Sequence, residues 1–289
     1  MKNTRKWLAL ALGLSLFSGT TAAVQADTGP ASTWERVQQT KVLRLAGTNS
    51  ELWAYKDNTN SDAPGAVKVG DTTWRGLAPV IAQALAESLG AKLEIVETTW
   101  GNAVPSLQSG QFDLIFGLDG TPARAAAVDF IPQPLFWTGT ALAARESVDI
   151  SSWEAVNNAK VKIAVPAGTS QETEIAKRAP NAQLSKFQDF NDMIAAYQSG
   201  RVDALSASLT TVTIISARLP NSKVGIPTPG ALFPTVGAVR KETDPRWSNF
   251  LQTSLQYYVN NGLIQKALDD AYRFRGVDVS KVPPAVLRR

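Results

Sequence analysis

The chain has 289 residues, enough for one large domain or two modest ones, and it contains neither Cys nor His. Without Cys there are no disulfides, thiolate nucleophiles or cysteine-bound metals, and without His the usual general base and the commonest metal ligand are missing. The composition therefore excludes Ser-His-Asp hydrolysis and ordinary zinc sites, and we expect no metal and no cofactor.

The first 26 residues have the pattern of a secretory signal peptide. Basic residues precede an apolar run that is too short to span a membrane, and a small-residue cleavage site follows at 24–26. These residues hold three of the 29 Lys and Arg and none of the 25 Asp and Glu, so the remainder carries 26 bases against 25 acids, a net charge of +1. That balance gives no indication of nucleic-acid binding, and we expect a periplasmic protein without a lipid anchor.

Strands and helices alternate through the first half of the mature chain. The predicted elements are a helical turn at 34–39, a strand at 42–46, a polar surface loop at 56–73, a helix over 77–89, a strand at 93–96, a helix at 100–109 and a strand at 112–116. This alternation is typical of a mostly parallel sheet with helices on both faces.

The segment after the third strand has the features of an anion-binding site. Gly117 begins a tight loop, Thr121 suits a helix N-cap, and Pro122 suits the first helical position. The N–H groups and the dipole at a helix N-terminus favour an anion. Arg124 lies two residues after Pro122, and its planar guanidinium matches the geometry of a carboxylate. We therefore predict a carboxylate site here.

The second half repeats the pattern. Its predicted elements are an extended stretch at 138–144, a short helix at 153–158, strands at 161–165, 184–187 and 204–207, helices at 171–179 and 193–198, a strand at 236–240, and helices at 245–260 and 263–274. Here the loop Gly168-Thr169-Ser170 and the loop after Ala207 follow strands. Ligands of open α/β sheets bind outside the carboxyl ends of the strands, so two such loops on two lobes predict a cleft that closes on a small anion.

The order of these motifs resembles the bacterial periplasmic solute-binding proteins for polar amino acids, the family 3 receptors of ABC importers. The matching pieces are 43–48, 76–89, 110–113, 121–124, 128–130, 167–170, 200–204 and 237–241. The resemblance implies an α/β, two-lobed periplasmic binding protein fold of type II, in which each lobe is a mostly parallel sheet flanked by helices. The predicted division is a signal peptide at 1–26, a first lobe at 27–139, a second lobe at 140–236, a return to the first lobe at 237–276 and a tail at 277–289.

The resemblance also implies roles for individual residues. Arg124 would bind the α-carboxylate of the ligand, with help from Thr169 and Ser170 of the other lobe. An aromatic ring after the first strand, Trp53 or Tyr55, would cover the ligand. The expected ligand-binding residues are Arg124, Thr169, Ser170, Asp119, Gly117, Trp53, Asn49 and Ser208.

Three departures from the family pattern bear on the ligand. Ser208 stands where the family usually has an Asp for the α-ammonium, the loop before Thr121 is one residue shorter and carries Asp119, and the loop at 56–75 is about ten residues longer. An ammonium buried in a closed cleft must be paired. Either Asp119 turns inward and supplies the charge, or Asp119 only caps its turn and the ligand lacks a free α-ammonium.

The sequence leaves three functions to weigh. The first is a receptor that closes on a small carboxylate-bearing solute, an amino acid or a derivative, and delivers it as a monomer to the permease of an ABC importer. The second is a dehydratase-like enzyme on the same fold, for which Asp119, Glu51 and Glu172 are the candidate acids. The third is a receptor that feeds a sensor instead of an importer.

Overall fold

The structure is a computed structural model that describes residues 32–59 and 61–282. The predicted signal peptide at 1–26 and the end of the predicted tail, residues 283–289, lie outside the described residues. None of the helices in the described part of the chain is long and apolar enough to cross a membrane.

Helices and strands alternate along most of the chain. The elements of the first half are α1 (Thr33–Thr40), β1 (Val42–Gly47), β2 (Tyr55–Lys56), β3 (Val67–Val69), β4 (Thr72–Arg75), α2 (Leu77–Ser88), β5 (Lys92–Glu97), α3 (Ala103–Gln108), β6 (Ile115–Phe116), α4 (Pro122–Ala127), β7 (Val128–Phe130) and β8 (Phe136–Thr138). Those of the second half are β9 (Thr140–Arg145), α5 (Trp153–Val156), β10 (Lys162–Pro166), α6 (Ser170–Arg178), β11 (Gln183–Phe187), α7 (Phe190–Gln198), β12 (Ala204–Ser208), α8 (Leu209–Ser216), β13 (Ser222–Gly225), β14 (Phe233–Thr235), β15 (Gly237–Arg240), α9 (Arg246–Asn260) and α10 (Leu263–Phe274), before a 3₁₀ turn at Val279–Lys281.

The strands form two lobes, and the chain crosses between them twice. In the first lobe β1 pairs in parallel with β5, a parallel bridge joins Leu45 to Leu114, and β15 runs antiparallel between β6 and β7. The second lobe has a five-stranded sheet in the order β11-β10-β12-β9-β13. The crossing strands β8 and β14 pair with each other as a two-stranded antiparallel ribbon.

The α/β fold is confirmed, and its sheets are mixed. The pairs β1–β5, β10–β11 and β10–β12 are parallel, whereas β9, β13 and β15 pair antiparallel with their neighbours. β9 and β15 are the strands that follow the two crossings. The sheets therefore change direction where the chain moves from one lobe to the other.

The structure corrects three sequence predictions. The segment after Ala207 is the helix α8 and not a loop, and Ser208 is its N-cap. The long polar segment contains short strands, because β2, β4 and β3 form a three-stranded antiparallel sheet. The helix predicted at 100–109 is also shorter, since α3 begins at Ala103.

The long segment folds around a buried arginine. Arg75 is 2% exposed, and its Nε donates to Asp57 Oδ2 at 2.6 Å. Its other nitrogens donate to the backbone oxygens of Ser61, Ala63 and Pro64, and the guanidinium carbon lies 3.6 Å from the centre of the Phe274 ring. Burial raises the pKa of Asp57, but the hydrogen bonds from Thr59 and Arg75 outweigh it, so the pKa lies below its ordinary value. One buried cation thus holds the segment against α10.

We predict that Arg75→Met lowers the free energy of unfolding by about 3–5 kcal/mol, because it leaves a buried carboxylate unpaired. Urea denaturation measures the change. Lys68→Met is the control, because Lys68 pairs with Asp62 at 3.7 Å on the surface, where an ion pair contributes about 1 kcal/mol or less. Equal losses in the two variants would contradict a structural role for Arg75.

Candidate functional site

A cavity lies between the two lobes, next to the crossing ribbon. Its empty volume is about 460 Å³, part of it open to solvent. Its aromatic lining comes from Trp53, Trp100 and Phe190. Its hydroxyl lining comes from Ser50, Thr138, Thr169, Ser170, Ser208, Thr211 and Thr235. Aromatic walls with a few polar groups are typical of a small-molecule binding pocket.

Arg124 reaches across the mouth of this cavity. Thr121 caps α4 by accepting from the Arg124 N–H, and Pro122 occupies the first helical position, as the sequence predicts. The guanidinium donates through Nη1 to the Asp119 backbone oxygen at 3.1 Å and through Nη2 to Gly168 O of the second lobe at 2.9 Å. Burial lowers the pKa of Arg124, and the Asp119 carboxylate offsets only part of this change, so the pKa lies below its ordinary value. An arginine nevertheless stays charged in proteins.

Asp119 points inward and contacts the second lobe. Its Oδ2 accepts from Ser170 Oγ and from Gln171 Nε2, the latter at 3.0 Å. Its backbone oxygen, not its carboxylate, accepts from the Thr121 N–H at 2.9 Å within the turn. Asp119 therefore turns inward and its carboxylate does not cap the turn, but Ser170 and Gln171 already hold that carboxylate.

The ionisation of Asp119 is disfavoured by its surroundings. Burial raises the pKa of its carboxyl, and the hydrogen bonds from Ser170 and Gln171 and the charge of Arg124 oppose that change without cancelling it. Asp119 and Arg124 carry the ionisable charges among the described residues that line the cavity. The cavity is therefore balanced in charge when both groups are ionised.

The start of α6 forms the facing wall. Thr169 caps the helix, accepting from the Glu172 N–H at 3.3 Å while its hydroxyl donates to Pro166 O at 2.7 Å. Gly168 has a φ of +76°, and a Cβ there would lie 2.5 Å from the Cα of Gly101 in the first lobe. The lobes therefore touch at this loop, and glycine permits that approach.

Trp53 forms another part of the wall. Trp53 is only 5% exposed and stacks on Phe136 with ring centres 5.7 Å apart. Gly117 has a φ of +79°, and a Cβ there would lie 2.3 Å from the Trp53 ring, so glycine is required. Tyr55, the alternative aromatic, lies outside the cavity lining with the Arg275 guanidinium 4.4 Å from its ring centre.

Ser208 lines the cavity, but its hydroxyl is engaged by its own helix. It accepts from the Thr211 N–H at 3.3 Å, donates to Thr211 Oγ1 at 2.8 Å and shares a hydrogen bond of 2.9 Å with Thr210 Oγ1. Ser208 is therefore first of all a helix cap.

Asn49 lies outside the cavity. It is exposed, and its Nδ2 donates to Asp189 of the second lobe. Although the next residue, Ser50, lines the cavity, Asn49 does not, and its side chain joins the two lobes beside it.

A second set of contacts joins the lobes near Asn49. Glu51 is 5% exposed and pairs with Arg218 of the second lobe and with Arg275, each at 2.5 Å. Glu172 pairs with Lys186 at 2.7 Å and accepts from the Gly168 N–H. Two of the three candidate acids thus have cationic partners and lie outside the cavity lining, and Asp119 alone of the three lines it.

Sequence reasoning missed several lining residues. Gln171 stands in the first turn of a predicted helix, and Thr138 and Thr235 lie in the predicted crossings, where no pattern shows which face a side chain takes. Phe190 and Trp100 are large aromatic residues of a type that is usually buried in a hydrophobic core. They line the cavity because the two lobes meet there.

Comparison with known proteins places this geometry in a family. The family model of bacterial extracellular solute-binding proteins, family 3, matches residues 58–270. The chain belongs to this family. Its family 3 relatives include a "Probable amino-acid ABC transporter periplasmic-binding protein" of Sinorhizobium fredii, 28% identical over 76% of this chain and 69% of that protein. A "Probable histidine-binding protein" of Campylobacter jejuni is 28% identical, but the match covers 52% of this chain and 58% of that protein.

Solved structures show the same fold as this family 3 protein. An ancestral amino acid-binding protein, described as a precursor of cyclohexadienyl dehydratase, superposes with a TM-score of 0.71 at 26% identity, covering 84% of this chain and 100% of that one. The solute receptor for L-cysteine of Neisseria gonorrhoeae superposes with a TM-score of 0.72 at 24% identity, covering 89% and 100%. The type II two-lobed fold is thereby confirmed.

The raised pKa of Asp119 predicts how its replacement changes stability with pH. The folded chain binds this proton more tightly than the unfolded chain, so ionisation disfavours the folded state as the pH rises above about 4. We expect Asp119→Asn to gain stability relative to the parent protein between pH 4 and pH 7, as measured by urea denaturation.

Asp149→Asn is the matched control, and its effect has the opposite sign. Hydrogen bonds from Ser151 lower the pKa of the exposed Asp149, so the parent protein has their stabilisation above about pH 4 and loses it as the pH falls. Asp149→Asn therefore loses stability relative to the parent as the pH rises. A parallel pH dependence in the two variants would contradict the environment described for Asp119.

Proposed function

We propose that this protein is an extracytoplasmic receptor that closes on a small carboxylate-bearing solute, an amino acid or a derivative, and delivers it to the permease of an ABC importer. The observation that carries the proposal is the meeting of Arg124 from one lobe with the start of α6 from the other at a single cavity. Its membership of family 3 and the amino-acid transport named for its relatives support the same function.

The contacts of Asp119 support a carboxylate as the ligand's anionic group. Ser170 and Gln171 already accommodate one carboxylate at the start of α6. The first N–H groups of a helix lack partners within it, and its dipole favours negative charge. A solute carboxylate would accept from the backbone N–H groups at the start of α6 and from the guanidinium of Arg124, in a cleft closed off from water.

Closure is proposed to occur about the β8–β14 ribbon. A solute that contacts both lobes only in the closed state stabilises that state. We keep the lobe limits 27–139, 140–236 and 237–276 as part of this proposal, supported by the position of the ribbon at Phe136–Thr138 and Phe233–Thr235. We further propose that residues 1–26 direct export and are removed, and that the receptor acts as a monomer.

We favour a receptor over a dehydratase on the chemistry of the cavity. A dehydratase needs an acid that is free to give its proton to the substrate. Asp119 is the one candidate acid in the described cavity lining, and Ser170 and Gln171 both donate to it. A dehydratase reaction therefore has no free acid in the described lining unless the Asp119 carboxyl group leaves Ser170 and Gln171.

We predict that Arg124→Ala weakens binding of the solute recovered from the purified protein by about 2–4 kcal/mol, because a charge-assisted pair is lost inside a closed cleft. Arg124→Lys should recover only part of the loss, since an ammonium lacks the planar pair of donors. Isothermal titration calorimetry measures the affinities after the solute is identified by native mass spectrometry.

The control for this series is Arg273→Ala. Arg273 is 62% exposed on α10, where it pairs with Asp269 at 3.6 Å, and it lies outside the cavity lining. Its removal should leave the affinity unchanged. An affinity that is the same in Arg124→Ala as in the parent protein would remove Arg124 from the site and with it the proposed function.

A further inference from the structure

Two threonines of the crossing ribbon line the cavity, and their buried hydroxyls lack a protein partner within the described part of the chain. Thr138 is 2% exposed and Thr235 is 3% exposed, and neither Oγ1 has a hydrogen-bond partner within residues 32–59 and 61–282. A buried hydroxyl without a partner is costly. In a binding cavity such groups indicate atoms of a solute.

These two hydroxyls belong to one face of the ribbon. Thr138 pairs with Phe233 and Thr235 with Phe136, so the two threonines are diagonal neighbours on adjacent antiparallel strands. Side chains of directly paired residues, and of residues two apart on one strand, share a face. Both threonine side chains therefore lie beside the same region of the cavity.

The start of α8 completes this region. The Leu209 N–H donates to Gly139 O at 2.8 Å, which places the first turn of α8 directly beside the end of β8. Ser208 and Thr211 of this turn also line the cavity. The positive end of the α8 dipole thus lies at the same region, where it favours an oxygen atom and disfavours a cation.

No carboxylate of the described lining is available to an ammonium here. Asp119 is held by Ser170 and Gln171 at the start of α6. The Ser208 hydroxyl accepts within its own helix turn, so its lone pairs are committed. An ammonium in this region would be a buried cation without a free carboxylate partner in the described lining.

We propose that the solute presents an uncharged oxygen, a hydroxyl or a carbonyl, to Thr138, Thr235 and the start of α8. The substrate class is then a 2-hydroxy or 2-oxo carboxylic acid instead of an α-amino acid. The inference rests on the proposed function, since it takes the acid group to bind at Arg124. Under this proposal the hydroxyls of Thr138 and Thr235 select a hydroxy or oxo acid over an amino acid.

The first experiment compares acids that share a carbon skeleton. Calorimetry is run with lactate, pyruvate and alanine, with phenyllactate, phenylpyruvate and phenylalanine, and with 2-hydroxyglutarate, 2-oxoglutarate and glutamate. For the skeleton that binds, we expect the hydroxy or oxo acid to bind at least about tenfold more tightly than the amino acid, because the ammonium lacks a charged partner.

The second experiment removes one hydroxyl at a time. Thr138→Val and Thr235→Val should each weaken the binding of the hydroxy or oxo acid about fivefold to tenfold and should not lower the melting temperature of the free protein. Thr140→Val is the matched control, because Thr140 is also buried with an unpartnered hydroxyl, 4% exposed, but lies outside the cavity lining. It should leave the affinity unchanged.

The third experiment places a carboxylate at position 208, where the family usually has an Asp. Ser208→Asp keeps a good N-cap for α8 and adds a carboxylate, so it should reverse the preference toward the amino acid. Ser152→Asp is its control, since Ser152 caps α5 in the same way, accepting from the Ala155 N–H, away from the cavity. It should keep the preference of the parent protein.

The outcomes separate this inference from the proposed function. Tighter binding of the amino acid by the parent protein, with the loss in Arg124→Ala retained, would overturn the inference and leave the proposed function standing. An equal effect of Thr138→Val and Thr140→Val would also overturn the inference. A recovered solute without a carboxylate, together with no binding of any acid in the panel, would overturn both.

Discussion

A charge that is closed off from water between two lobes needs a partner, and this requirement explains most of the cleft. Arg124 donates to Gly168 across the cleft, and Asp119 accepts from Ser170 and Gln171 in the same interface. Away from the cavity, Glu51 is buried between two arginines. Each of these ionisable groups contacts a donor or an acceptor of the opposite lobe, so the contacts that satisfy these buried groups also hold the lobes together.

The crossing ribbon gives the cleft a second, uncharged chemistry. Its two strands connect the lobes and also place Thr138 and Thr235 against the cavity. Arg124 of α4, the polar start of α6, and the hydroxyl residues of the ribbon and α8 therefore line different parts of one cavity. In binding sites of this kind a few polar groups fix the orientation of the ligand, while aromatic walls such as Trp53 and Phe190 exclude water.

Local sequence patterns predicted features that depend on neighbouring residues, such as the residue at which a helix begins. Thr121 and Pro122 begin α4 as expected, because capping preferences act within a few residues. The helix α8 was missed because Leu209–Ser216 is rich in β-branched residues, which lower helix propensity and resemble a strand. Its helical form is stabilised by packing, since most of its side chains are buried.

Features that arise where the two lobes meet could not be predicted from the sequence. The contacts of Asp119 with Ser170 and Gln171 join positions 51 and 52 residues apart, and no spacing rule relates them. The long segment before Arg75 has the composition of a loop, yet a single buried guanidinium organises it through backbone oxygens that carry no sequence information. The burial of Trp53 likewise depends on Phe136 and Gly117, which lie far along the chain.

The most direct test of this account is a crystal structure of the protein with the solute recovered from it. The account predicts a carboxylate within hydrogen-bond distance of the Arg124 guanidinium and of the first turn of α6, and an uncharged oxygen beside Thr138 and Thr235. A solute bound outside the cleft, or one that places a cation against Thr138 and Thr235 and no acid at Arg124, would contradict it.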